Sequence, residues 1–381
     1  MNEFDFIRNL REQTGSRKHS SRVITGIGDD ACVVSQSANR DLVITTDVLI
    51  EGIDFYRDAG PAQMLGHKAL AVSLSDIAAM GARPLWSLLS IGMSTETWRE
   101  PFKEEFMAGY FQLADQYGVT LTGGDVSEAK SGIVIDSIVL GEVSSGAALT
   151  RSGAQPGDQI YVTGTLGGAA AGLKLIEMGA RMDATGLASL PRAGQRGSGH
   201  RSEPGAVATG PLQGGSPTVR EGVHVAVDNA ELKAIETLLL RQLCPQPRVG
   251  WGIVLGEERL ASAMIDISDG LSSDIAHLFE ASKAGALIDA SSLPIDRDVT
   301  TLCGRRALDP LMLALHGGED FELLFTVRPY NVSRLPKRVD GVAINRIGEV
   351  MDQSGIRVSE KGRVWDLLPG GFEHFGAKAE A

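Results

Sequence analysis

The stretch PAQMLGHKALAVSLSDIAAMGA, residues 61–82, limits this chain more tightly than any other. Apolar side chains recur at Met64, Leu65, Leu70, Leu74, Ile77 and Ala78, a spacing that predicts a helix from Pro61 to Met80. Pro61 suits its start and Gly81 its end. Asp76 lies inside this otherwise apolar run, three residues from Ser73 and on the same face. A carboxylate among Leu74, Ile77, Ala78 and Ala79 costs free energy unless something pairs with it. No basic residue stands three or four positions away. The missing charge must come from a distant structural partner or from a bound cation.

Strand and helix patterns alternate around this segment. Val23-Ile24, Val33-Val34, Leu42-Val43-Ile44 and Val48-Leu49-Ile50 read as short strands. Residues 102–117 read as a second helix and Ile133–Val143 as a strand. A second strand-turn-helix pattern starts at Asp158–Gly164, so a domain boundary is expected near residues 145–155. Helical spacing returns at Leu232, Ile235, Leu238 and Leu239. Ala263–Ile265 is strand-like and residues 270–283 helical. The expectation is an α/β (α+β) chain of two domains, 1–148 and 149–381. Residues 183–224 are rich in Gly, Pro, Ser and Arg and lack periodicity. They cannot bury enough apolar surface to offset their ordering entropy, so a disordered insertion is expected there.

The chain has 381 residues, 43% of them apolar, and a net charge of −12. That charge argues against wrapping nucleic acid or an anionic membrane with the general surface. Phosphate can still bind through local Arg, backbone N–H groups or metal ions. Cys32, Cys244 and Cys303 are odd in number and far apart, which fits a reducing cytoplasm. No signal-type run or membrane-length apolar stretch is visible, so a cytoplasmic protein is expected. GGAAAGLK (167–174) lacks the Gly-Lys-Ser/Thr ending of a P-loop. Kinase His-Arg-Asp, HExxH and Gly-x-Ser-x-Gly signatures are also missing.

Other acids stand beside Gly, Ser or Thr. GIGDDACVV (26–34) carries Asp29 and Asp30, and taken alone it reads as a turn. TTDVLIEGIDF (45–55) places Thr45, Thr46 and Asp47 before an apolar strand and Glu51 and Asp54 after it. LTGGDVS (121–127) sets Gly123 and Gly124 before Asp125, as a strand-ending turn or a phosphate-approach loop. MIDISDGLSSDIAHL (264–278) puts Asp266, Ser268, Asp269 and Asp274 at a strand-to-helix junction. One of them is expected to cap the helix. HGGEDFELLF (316–325) adds Glu319 and Asp320, and Arg151 in LTRSGAQPGD is a candidate phosphate clamp. Convergence of so many acids makes sense if several Mg²⁺ ions bridge a polyphosphate.

In this order, GIGDDA, TTDVLIEG, KALAVSLSDIAAMGARP, GGDVS, LTRSGAQPGD, DISDGL and GGEDFELLF resemble the thiamine-monophosphate kinases. These belong with the aminoimidazole ribonucleotide synthetases and selenophosphate synthetases. The resemblance covers nearly all of the chain except residues 183–224, and GGFEHF (370–375) matches the family's aromatic ending. It implies a two-domain fold of the aminoimidazole ribonucleotide synthetase type that dimerises through its N-terminal half. It implies ATP as co-substrate and several Mg²⁺ ions. By motif, Asp30, Thr45, Thr46, Asp47, Asp76, Asp125, Asp266 and Asp269 would ligate metal, with Asp125 and Asp269 closest to catalysis. Gly124, Asp125, Arg151 and Ser268 would contact ATP. Asp54, Glu319 and Phe372 would lie near the thiamine moiety.

Two positions depart from the family pattern. Asp54 stands where Glu-Gly-x-His-Phe has its His, and Ser73 where Asn-Leu-Ser-Asp has its Asn. The activity implied is ATP-dependent phosphorylation of thiamine monophosphate. The alternatives are another ATP-dependent synthetase or cyclo-ligase of the superfamily, or a non-catalytic MgATP-binding paralogue.

Overall fold

The computed structural model describes Arg8, Glu12 and residues 22–37, 39–99, 101–190, 229–306 and 308–372. Its first sheet holds β1 (Val23–Thr25), β2 (Cys32–Ser35), β3 (Arg40–Ile50), β4 (Arg83–Met93), β5 (Thr120–Glu128) and β6 (Ile133–Ser144). They lie in the order β1-β2-β3-β6-β4-β5. Neighbours run antiparallel except β4 and β5, which are parallel. From Asp41 along β3, odd-numbered residues turn inward, while Thr46, Val48 and Ile50 turn outward.

Three helices accompany this sheet: α1 (Ala62–Ala79), α2 (Thr95–Arg99) and α3 (Phe102–Tyr117). Helix α1 lies on the inner face, where Ser73 Oγ donates to Ser137 O on β6 at 2.9 Å. It crosses α3 backbone to backbone. A Cβ on Gly66 would sit 1.8 Å from Phe106 O, and one on Gly109 would sit 1.8 Å from Gln63 O. Only glycine allows that approach.

The second sheet is built from β7 (Gln159–Thr163), β10 (Ala261–Asp266), β11 (Gly285–Asp289), β12 (Leu323–Val327), β14 (Val342–Met351), β15 (Gly355–Glu360) and β16 (Arg363–Asp366). Its order is β10-β12-β7-β14-β11-β15-β16, with β13 (Arg338–Val339) paired to β14. A separate hairpin joins β8 (Arg181–Met182) to β9 (Ala188–Ser189). The helices of this half are α4 (Gly168–Glu177), α5 (Asn229–Leu243), α6 (Val249–Glu257), α7 (Leu271–Ser282), α8 (Arg297–Arg306) and α9 (Pro310–His316). Helix α1 is enclosed between the two halves: Leu70, Leu74 and Ile77 share one buried cluster with Trp251, Met264 and Phe325. No helix among the described residues is long and apolar enough to cross a membrane.

Three sequence expectations need correction. Residues 45–50 do not form a separate buried strand; they end the 11-residue β3, and Val48 and Ile50 are exposed. LTGGDVS is neither a turn nor a loop but the body of β5. Residues 183–189 belong to the β8–β9 hairpin, where Asp183 Oδ1 accepts from Thr185 N and Leu187 N. The rest of the expected insertion, 191–224, and residues 373–375 of GGFEHF lie outside the described residues.

Candidate active site

The acids converge where the inner face of the first sheet meets the end of β10. Asp30 comes from the β1–β2 connection, Asp76 from α1 and Asp266 from the last position of β10. One carboxylate oxygen of each lies within 4.8 Å of the others. Thr45 Oγ1 donates to Asp76 Oδ2, and Ser75 Oγ donates to Asp266 Oδ2 at 2.6 Å. Asp47, two residues along β3 from Thr45, shares its inward face. Asp30 Oδ2 and Asp47 Oδ2 are buried, and no donor among the described residues reaches them. Arg151 donates from Nε to Asp30 Oδ1 at 3.0 Å, and its backbone N–H reaches the Asp29 carboxylate at 3.3 Å.

The electrostatics are those of a site that lacks positive charge. Burial, reinforced by neighbouring carboxylates, raises Asp29 and Asp47 to about 6 and Asp266 to about 8. Asp76 is driven well above the usual carboxylate range by burial, then by Asp47, Asp266 and Asp30. Asp30 is raised too, because burial outweighs the Arg151 guanidinium. The donor set is all oxygen: carboxylates of Asp30, Asp47, Asp76 and Asp266 with the Thr45 hydroxyl. Hard divalent cations prefer such donors, and the two orphaned carboxylate oxygens fit that use.

Beside the cluster opens a cleft of about 660 Å³. Asp47, Ser268 and Asp269 line it near the acids; Asp54, Lys68, Gln242, Glu319 and Phe372 also line it. At the start of α7, Asp274 takes the capping role, accepting from the backbones of Asp269 (3.2 Å) and Gly270 (3.0 Å). Ser268 and Asp269, just before this helix, line the cleft. The Asp54 carboxylate closes the turn after β3 by accepting from Ile50 N at 2.7 Å. Lys68, buried on α1, holds Glu319 Oε1 at 2.6 Å, and Gln242 Nε2 donates to Glu319 Oε2. Phe372 is seated by its N–H on Asp269 O at 3.0 Å. Asp320, next to Glu319 in sequence, does not face the cleft. It accepts from Gly167 N (2.6 Å) and Ala169 N (3.1 Å) and so caps α4.

Three expected ligands lie outside the cluster: Asp269, which lines the cleft, and Thr46 and Asp125, which stand apart from both. Alternation along β3 turns Thr46 to the outer face, where its hydroxyl donates to Asp136 Oδ1 at 2.7 Å. Asp136 is level with Ser90, and Ser90 with Asp125, so Thr46, Asp136 and Asp125 form a polar row across that face. Asp125 is exposed, and its carboxylate accepts from Val126 N at 2.9 Å. Gly124 has φ +153°, and a Cβ there would sit 1.8 Å from Leu89 O. Close approach of β4 to β5 is thus reason enough for that glycine.

The family model for the N-terminal domain of AIR synthase related proteins matches residues 28–143, which carry most of the acids just described. Thiamine-monophosphate kinase of Escherichia coli K12 is 35% identical over 369 residues, covering 94% of this chain and 95% of that protein. This chain belongs to the thiamine-monophosphate kinase family. The Salmonella typhimurium kinase is 36% identical over 365 residues, with 94% and 95% covered. Among solved kinases, AaThiL complexed with AMPPCP and TMP aligns with a TM-score of 0.74 at 27% identity, over 98% of this chain and 97% of that one. The kinase from Stenotrophomonas maltophilia K279a gives 0.66 at 34% identity, over 95% and 98%.

Sequence reasoning missed Asp136, Lys68 and Gln242. Lys68 carried a readable signal, as the one Lys or Arg of a largely buried helix. Asp136 sits in an alternating strand, where a polar residue is expected on one face.

Proposed function

We propose that this kinase transfers the γ-phosphoryl group of ATP directly, in line, to the phosphate of thiamine monophosphate, yielding thiamine diphosphate. The observation that carries the reading is the junction of the acidic cluster with a cleft that Asp47, Ser268 and Asp269 border and Glu319 and Phe372 also line. Asp30, Thr45, Asp47, Asp76, Asp266 and Asp269 would hold Mg²⁺. Bound Mg²⁺ would neutralise phosphoryl oxygens and lower the repulsion between two polyanions. Arg151 and Ser268 would position ATP phosphates. Glu319, held by Lys68 and Gln242, would face the thiamine moiety, with the Asp54 turn and Phe372 as walls. The acceptor phosphate, with a second pKa of about 6, is largely ionised at neutral pH, so no general base is required.

Two domains, 1–148 and 149–381, and a cytoplasmic homodimer complete the proposal. The outer face of the first sheet supports the dimer, because Val48, Ile50, Trp86 and Val134 expose apolar surface around the Thr46–Asp136–Asp125 row. A second copy covering that face would enclose Asp125 and the polar row to which it belongs. Incubation of the purified protein with MgATP and thiamine monophosphate should yield thiamine diphosphate and ADP in equal amounts. Labelled phosphate trapped on the protein would contradict direct transfer.

A further inference from the structure

Residues 370–372 lie along the start of α7 and help line the cleft. Three successive N–H groups seat them. Gly370 donates to Ser272 Oγ at 3.2 Å, Gly371 to Ser273 Oγ at 3.1 Å and Phe372 to Asp269 O at 3.0 Å. Both serines are buried, and Ser272 Oγ shares a hydrogen bond with His316 Nδ1 at 2.8 Å. The fit leaves no room for a side chain at either glycine. A Cβ on Gly371 would sit 2.2 Å from Asp269 O, and one on Gly370 would sit 2.7 Å from His316 Nδ1. Upstream, Leu367 is buried and its N–H donates to Ile356 O at 2.8 Å. Beyond it, Leu368 is 74% exposed and Phe372 48% exposed. Burial therefore holds Phe372 only weakly, and its place depends on the backbone seat.

Ser268 O accepts from Glu319 N at 2.7 Å, so Glu319 and Phe372 hang from successive carbonyls, Ser268 O and Asp269 O. The same two residues line the cleft, and Asp274 fixes the Asp269 peptide from its other side by accepting its N–H. Resting on the proposed transfer to thiamine monophosphate, we infer that Ser272 and Ser273 are positioning residues: their hydroxyls set Gly370 and Gly371 on α7 so that Phe372 stands against the bound thiamine moiety. Neither serine lines the cleft, so both act through the tail. Removing a hydroxyl leaves a tail N–H without its acceptor and lets Phe372 swing towards water. The substrate must then reorder the tail as it binds, which weakens its affinity without altering the groups that hold ATP.

The test measures turnover of thiamine monophosphate by Ser273→Ala, Gly371→Ala, Phe372→Ala and the double variant Ser273→Ala/Phe372→Ala. Alanine suits a helix, so Ser273→Ala should keep its melting temperature. It should raise KM for thiamine monophosphate about fivefold, while kcat and KM for ATP move by less than about twofold. Gly371→Ala keeps both serines and should act in the same way, because its Cβ cannot share the space of Asp269 O. Phe372→Ala should raise the same KM about tenfold. In that background Ser273→Ala should add less than about twofold, because the ring it positions is gone. A serine with a merely structural role would give effects that multiply. Multiplying effects, or an unaltered KM in Ser273→Ala, would overturn the inference. If Ser273→Ala does not fold, Gly371→Ala with and without Phe372→Ala makes the same comparison, and multiplying effects there overturn it as well. No turnover of thiamine monophosphate by the unchanged protein would overturn the functional reading and this inference with it, whereas turnover with KM unmoved by Ser273→Ala overturns the inference alone.

Discussion

Ser75 on α1 and Asp266 at the end of β10 are joined by a buried hydrogen bond of 2.6 Å. It links the first sheet's helix to the second sheet beside the acidic cluster. Ser75→Ala should cost about 1 kcal/mol of stability, read from urea unfolding. It should also raise the Mg²⁺ concentration for half-maximal turnover several-fold, because Asp266 loses the donor that orients it. An unchanged Mg²⁺ requirement would separate the bond from the metal site.

Without metal, the cluster makes stability fall as pH rises. Asp266 is raised to about 8, and Asp29 and Asp47 to about 6. Unfolded Asp titrates near about 3.9. Between those values the folded chain holds more protons than the unfolded chain, so the derivative of unfolding free energy with pH is negative. In chelator, the melting temperature should drop from pH 5 to pH 8, and saturating Mg²⁺ should restore it most at pH 8. A flat profile in chelator would contradict this account.

Asp76 should show opposite effects on stability and activity. Asp76→Asn keeps an acceptor for Thr45 and removes one of the repelling charges. In chelator at pH 8 the variant should unfold at higher denaturant than the parent. Its turnover should fall by a factor of about 100 or more, the scale set by losing a stabiliser of transition-state charge. Parallel losses in both measurements would make Asp76 a purely structural residue.

The Asp54 carboxylate, in the place of the family's His, holds the turn on which the cleft wall stands. Asp54→Asn should preserve the bond to Ile50 N and leave stability nearly unchanged. Asp54→Ala should cost about 1 kcal/mol in urea unfolding and raise KM for thiamine monophosphate more than it lowers kcat. An alanine variant with unaltered KM would remove the turn from substrate binding.

Trp86 tests the homodimer. It lies on the outer face and is 39% exposed. Trp86→Glu should shift sedimentation from dimer towards monomer and lower activity at low protein concentration, with the melting temperature of the monomer little affected. A monomeric parent chain would overturn the dimer directly.

Much of this arrangement was readable before the structure. Helix periodicity located α1 and α3, and alternation located β6. Asp76 stood out because its own helix offers no counter-charge. Other features were hidden for physical reasons. Pro84 and Gly92 disguise β4, and Gly123-Gly124-Asp125 gives β5 the composition of a turn. Because Val48-Leu49-Ile50 reads as a strand by itself, Thr45, Thr46 and Asp47 look like one group of ligands. In the full-length β3 their side chains alternate, and Thr46 leaves the cluster. Lys68 and Gln242 meet Glu319 only through tertiary packing, which no local spacing encodes.

Glu319 and Phe321, on either side of the capping residue Asp320, have φ of +65° and +48°. Left-handed backbone at such residues costs on the order of 1–3 kcal/mol each. Glycine at 319 would relieve that torsion and at the same time discard the carboxylate that Lys68 and Gln242 orient. Selection for a sturdier molecule and selection for a competent one therefore pull this single codon in opposite directions. Homologues adapted to heat should have gained their extra stability elsewhere and kept the contorted acid.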